Sequence, residues 1–214
     1  MLSAFLLLTF ALFFSQEKKP MFWQDIQNFK KQDQEMPPPQ DAILLIGSSS
    51  FTKWKDVANY FPDKKIINRG FGGSRLTDLN YYANDLLNYQ PKQIIIYCGE
   101  NDFADDDKLK ADVVVDRFKT FYKKIRAKFP KIEVDYISIK YSPSREKLWP
   151  QMKEANKKIA AFMKKEPNAE FIDITKVMQD SNGNVRKELF VEDMLHMTPE
   201  GYELWKSVML PYMK

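Results

Sequence analysis

Histidine and cysteine are all but absent from this chain of 214 residues: there is one of each, His196 and Cys98. A single cysteine excludes an intramolecular disulfide, and one Cys with one His excludes a zinc cluster built from those residue types. Glycine is scarce too, at seven residues, so each glycine-bearing segment stands out as a local signal. No uncharged apolar run reaches the ~20 residues needed to cross a bilayer. The longest, residues 2–14, ends after 13 and runs into Ser15-Gln16-Glu17-Lys18-Lys19. Long blocks of one charge sign are missing as well. The 33 Lys plus Arg and 29 Asp plus Glu leave a net +4, interspersed along the chain, which describes solvated helix faces and argues against a nucleic-acid partner. Asp105-Asp106-Asp107 stands at a helix start, where the helix dipole accounts for it without a bound cation. No repeat of fixed period is visible, which excludes solenoids and propellers.

What is present divides the chain into three parts. Residues 1–15 read as a secretory signal segment, implying a secreted or periplasmic protein, with a retained interfacial anchor as the alternative. Residues 16–40 hold an aromatic-rich short helix over 21–31 and a linker begun by Met36-Pro37-Pro38-Pro39. Residues 41–214 form one domain, globular at 44% apolar and 29% charged composition. Within it, runs rich in Ile and Val at 42–46, 65–68, 93–98, 133–139 and 169–174 suit strands buried on both faces. Helical patterns lie between and after them: 77–89, a stretch with Val114, Phe118, Phe121, Tyr122, Ile125 and Phe129 at near 3.6 spacing, 150–165 and 199–213. This alternation predicts a three-layer α/β sandwich around a five-stranded parallel sheet.

The one histidine stands three places after Asp193 and just before Thr198-Pro199, a helix start. A carboxylate at that spacing can hold the Nδ1 proton and leave Nε2 free to act as a base. A nucleophile must come from elsewhere. Gly47-Ser48-Ser49-Ser50 follows the first strand, where it can cradle a phosphate, expose a serine hydroxyl beside a helix-start amide, or simply cap the helix. The phosphate reading lacks the Gly-Lys-Ser/Thr that would support it. Asn68-Arg69-Gly70-Phe71-Gly72-Gly73-Ser74 follows the second strand and is either a ligand-approaching turn or a plain tight one. Gly99-Glu100-Asn101-Asp102 follows the third, and its asparagine either donates to a developing oxyanion or makes an Asx turn. A parallel sheet brings all of these to one edge.

Together the segments Ile46-Gly47-Ser48-Ser49-Ser50, Gly70-Phe71-Gly72-Gly73-Ser74, Gly99-Glu100-Asn101-Asp102 and Asp193-Met194-Leu195-His196 resemble the four sequence blocks of the SGNH hydrolases, the GDSL-type esterases and lipases. The resemblance runs from Asp41 to the C-terminus and implies a flavodoxin-like sheet of order 2-1-3-4-5. It makes Ser49 the nucleophile ahead of Ser48 and Ser50, completes a triad with Asp193 and His196, and assigns the Ser49 backbone N–H, Gly73 and Asn101 to the oxyanion hole. Two positions depart from the pattern: Ser48 replaces the usual aspartate, and Ser74 replaces an Asp or Asn.

The activity so implied is that of a serine ester hydrolase with neither cofactor nor metal. Its expected substrates are small-molecule or carbohydrate esters with short acyl groups, acetyl among them. An acyltransferase acting on sugars and a non-catalytic glycan-binding module are the competing readings. Ser48, Arg145 and Trp149 are candidate substrate contacts, the last two because they follow the fourth strand on the site's edge; a proline-shaped loop with an aromatic packed on it is the plainer account of Arg145 and Trp149.

Overall fold

The computed structural model describes residues 19–214, so the signal segment expected at 1–15 lies outside the described residues. Five parallel strands, β1 (Ala42–Gly47), β2 (Ile66–Gly70), β3 (Pro91–Tyr97), β4 (Glu133–Ile137) and β5 (Ala169–Ile172), form one sheet in the order β2-β1-β3-β4-β5. All six residues of β1 are buried. Because side chains alternate across a strand, Ala42, Leu44 and Ile46 enter one apolar cluster while Ile43 and Leu45 enter the other. Ile94 and Ile96 of β3 go to the first cluster, and Ile95 and Tyr97 to the second.

The helices are α1 (Trp23–Glu35), α2 (Ser49–Thr52), α3 (Val57–Tyr60), α4 (Leu76–Tyr81), α5 (Ala83–Leu86), α6 (Glu100–Asp105), α7 (Ala111–Lys128), α8 (Trp149–Met163) and α9 (Pro199–Met209). Apolar residues of α1 and of α4 to α8 fill the first cluster, and those of α2, α3 and α9 fill the second. The result is the three-layer sandwich expected from the alternation of elements.

Three expectations need correction. Asp105 closes α6 and Asp106 is its C-cap, so the acidic run at 105–107 lies at a helix end and not at a helix start. The helix expected over 77–89 is two short ones, α4 and α5, parted at Tyr82, which sits at φ −92°, ψ 17°. That break seats the Tyr82 ring edge-on against Phe71 and lets its hydroxyl donate to the Met21 carbonyl at 2.7 Å. The last helix stops at Met209, and a short 3₁₀ turn over Leu210–Tyr212 follows. The N-terminal helix, for its part, is docked on the domain. Ile26 is 2% exposed, Phe22 packs edge-on against Phe71, and Asp33 accepts from both Arg69 and Tyr89. The solvent-facing ion pair from Lys30 of α1 to Asp85 of α5 adds little to this docking, since such pairs contribute roughly 0–1 kcal/mol.

In the middle of β4 Asp135 is fully buried; Gln93 donates to one carboxylate oxygen, and the other has no hydrogen-bond partner. Burial raises this carboxyl from 3.8 to about 7. Between those values the folded state binds the extra proton, so stability falls as pH rises through that window and stays low above it. Asp135→Asn, neutral throughout, should unfold at higher urea than wild type near pH 8, by roughly 1–4 kcal/mol, and match it near pH 4.

Candidate active site

Each functional side chain hangs from the carboxyl end of a strand or from the turn before α9. At the end of β1 there is no room for a side chain, because a Cβ on Gly47 would lie 1.9 Å from the Tyr97 carbonyl oxygen. The Ser48 N–H donates to that same carbonyl at 3.0 Å, and Ser49 then opens α2. Ser48 is 2% exposed, so the substrate contact expected of it is not available. Ser50 is sealed as well, whereas Ser49 stays partly open.

The turn before α9 presents the histidine. Asp193 Oδ1 accepts the backbone N–H groups of Leu195 at 2.9 Å and His196 at 2.8 Å, while Oδ2 lies 2.5 Å from His196 Nδ1. His196 Nε2 lies 2.9 Å from Ser49 Oγ. With Nδ1–H given to Asp193, Nε2 accepts the serine hydroxyl. Partial desolvation raises the Asp193 carboxyl, but the hydrogen bonds from the His196 side chain and backbone and from Leu195 outweigh it and bring the group down to about 2. Two bonds hold this turn in place: Tyr202 of α9 donates to the Ser50 carbonyl at 2.9 Å, and Ser144 N–H donates to the Met194 carbonyl at 3.0 Å.

Gly73 is exposed and has φ +85°, a conformation that favours glycine, and a Cβ on the preceding Gly72 would lie 3.9 Å from the Ser49 Cβ. Next to Gly73, Ser74 is 0% exposed and its hydroxyl donates to the Gly47 carbonyl at 3.2 Å. Its carbonyl accepts one amide N–H of Asn101 at 3.0 Å. The second N–H of that amide is left for another acceptor. Ser74, which stands out in the sequence only as a departure from the family pattern, therefore ties the first three segments together. Asp102 accepts from Leu76 N–H at 2.9 Å and from Arg117 at 2.7 Å, so it braces α4 and α7.

In the loop after β4, Trp149 follows the plainer of its two readings, an aromatic packed on a proline-shaped loop. Trp149 donates its indole N–H to the Ser142 carbonyl at 3.0 Å and packs near Tyr141, so its polar atom is committed to the loop. Arg145 lines a surface hollow with Ala104 and Asp107, and its Nε has no partner. Among the described residues no group of three His, Cys, Asp or Glu side chains could hold a metal ion.

The single histidine makes the Asp193–His196 bond directly observable. Since Asp193 stays ionised down to about pH 2, a low-field Nδ1 proton resonance should be present in wild type near neutral pH. It should be absent from Asp193→Ala, and its persistence there would show that another acceptor holds the ring.

Residues 46–204 match the model of the GDSL-like Lipase/Acylhydrolase family. Among curated proteins none matches significantly. Solved structures with the same fold include a proposed acylhydrolase of Bacteroides fragilis, 20% identical over 92% of this chain and 97% of that one, with a TM-score of 0.77. A GDSL-like lipase of Bacteroides thetaiotaomicron is 19% identical over 87% and 97%, with a TM-score of 0.72. A carbohydrate esterase family 3 protein of Talaromyces cellulolyticus is 14% identical over 80% and 95%, with a TM-score of 0.60. With that family match spanning most of its length and the parallel order β2-β1-β3-β4-β5 beneath it, the chain belongs to the GDSL-like lipases and acylhydrolases and is a serine ester hydrolase.

Proposed function

We propose that the protein cleaves short acyl esters, acetyl esters of carbohydrates foremost, through an acyl-enzyme on Ser49. The observation that carries this reading is the chain of contacts from Ser49 Oγ to His196 Nε2 at 2.9 Å and from His196 Nδ1 to Asp193 at 2.5 Å. Ser49 attacks the ester carbonyl while His196 takes its proton, and Asp193 stabilises the imidazolium. The Ser49 and Gly73 backbone N–H groups and the free N–H of Asn101 hold the tetrahedral oxyanion. His196 then protonates the departing alkoxide, and water repeats the sequence on the acyl-enzyme.

The carbohydrate and acetyl preference is supported by the short turns after β1 and β3, which lead straight into α2 and α6 and leave little chain there to cover a long acyl tail. The carbohydrate esterase of Talaromyces cellulolyticus shares the fold. A signal segment at 1–15 would place the enzyme where polysaccharide esters are found. Of the three candidate substrate contacts, Arg145 lines an open surface hollow with Ala104 and Asp107. It is proposed to contact a polar group of the alcohol part.

A fluorophosphonate probe should label Ser49, and Ser49→Ala should abolish both labelling and hydrolysis of p-nitrophenyl acetate and acetylated sugars. Label on Ser48 or Ser50 would contradict the assignment. Asn101→Ala should lower kcat by roughly 10²–10³ with little change in KM, and Asn101→Asp at least as much, because it puts an acceptor where a donor is needed. A rise in KM alone would leave Asn101 as a turn residue. Adding excess acceptor sugar tests hydrolysis against acyl transfer: hydrolysis predicts free acetate as the main product, and acyl transfer predicts acetylated sugar.

A further inference from the structure

Beneath the carboxyl ends of β3 and β4 lies an ionised pair that the chemistry above does not use. Lys140 is 0% exposed and Glu100 4% exposed. The Lys140 ammonium is ion-paired with Glu100 Oε2 and donates to the Tyr97 hydroxyl at 3.2 Å. Tyr97 donates to the same Glu100 oxygen at 3.0 Å, and Ser142 donates to the other, Oε1. Burial holds the Tyr97 phenol well above its ordinary pKa, so it is a neutral donor in this network.

A buried ion pair is weak evidence for stability. Taking both charges out of water costs about as much as their attraction returns, and apolar replacements of similar volume are often as stable or more so. Its neighbours suggest what else the pair does. Glu100 directly precedes Asn101, whose amide rests on the Ser74 carbonyl at 3.0 Å. Ser142 opens the turn whose Ser144 N–H donates to the Met194 carbonyl at 3.0 Å, two residues before His196. The buried Ser50 hydroxyl, one residue after Ser49, faces the Tyr97 phenol without meeting hydrogen-bond geometry. The network thus includes the residue before Asn101 itself, reaches the histidine turn through the 142–144 segment, and lies beside the Ser50 hydroxyl without bonding it.

We propose that Glu100 and Lys140 are positioning residues that fix the Asn101 amide and the His196 turn relative to Ser49, and that they act on the chemical step and not on substrate binding. This rests on the hydrolytic reading of Ser49 and His196. A charge-assisted network suits such a role because its bonds are directional, whereas apolar packing at the same place would tolerate displacement.

The test compares wild type with Glu100→Gln/Lys140→Met, which removes both charges at similar volume, and with Ser142→Ala, which removes one donor and leaves the pair intact. Thermal melting, kcat and KM on p-nitrophenyl acetate, and the His196 Nδ1 proton resonance are read for each. The double variant should melt at or above the wild-type temperature, lose at least tenfold in kcat with KM within twofold, and show a shifted or broadened resonance. Ser142→Ala should show a smaller loss in kcat of the same kind. A folded double variant with wild-type kcat and resonance would overturn the proposal, as would a loss confined to KM. If the double variant fails to fold, Ser142→Ala decides: unchanged kcat and resonance overturn the proposal. Wild-type protein that neither hydrolyses the ester nor takes the fluorophosphonate would refute the hydrolytic reading instead, and the resonance would still report whether the network holds the histidine.

Discussion

At the end of β1 the backbone of Gly47 lies against the Tyr97 carbonyl so closely that a Cβ there would come within 1.9 Å of the oxygen. The next residue, Ser48, spends its N–H on that same carbonyl. These two facts pin the carboxyl ends of the two central strands together. The serine loop therefore leaves the sheet beside the asparagine loop, and neither can shift without breaking the other's backbone contacts. Ser74 extends the constraint to β2 by donating to Gly47 and accepting from Asn101. Tyr202 extends it to α9 by donating to the Ser50 carbonyl. Residues 147 positions apart, Ser49 and His196, meet because each sits on an element fixed to this junction.

The rest of the molecule supports that junction with apolar packing on both faces of the sheet. Trp54 stacks on Tyr202 and meets Trp205 edge-on, so the layer that carries α2 and α9 is packed with large aromatic rings. Such packing is stiff, because displacing an interdigitated ring leaves a void or a clash. Polar contacts then set direction where packing sets distance. Asp193 shows the division: two backbone N–H groups and one imidazole hold its carboxylate although its side chain is 47% exposed.

How much of this was legible in the sequence depends on the residue. Strands β1 and β3 were readable because burial on both faces favours consecutive Ile and Leu, which stand there as Ile43 to Ile46 and Ile94 to Ile96. The contact between Asp193 and His196 was readable because the two residues lie at a spacing that permits it and the chain holds no other histidine. The break at Tyr82 was not, because an aromatic residue continues a helical pattern equally well; its partners Phe71 and the Met21 carbonyl are distant in the chain. The docking of α1 escaped notice for a similar reason, since the acceptor on Asp33 finds its cation on β2, at Arg69. Lys140 is the clearest case. A lysine after an apolar run reads as the chain leaving the core, and Glu100 at the start of α6, with the Tyr97 hydroxyl, makes its burial tolerable.

The central claim is that the converged loops make Ser49 a nucleophile that carries the acyl group covalently. Rapid mixing with p-nitrophenyl acetate, acid quenching and peptide mass spectrometry tests it directly. The account predicts a transient acetyl group on the peptide containing Ser49, formed with the first turnover and absent from His196→Ala. Turnover in which no acetyl-peptide forms at any time, or an acetyl group on another residue, would contradict it.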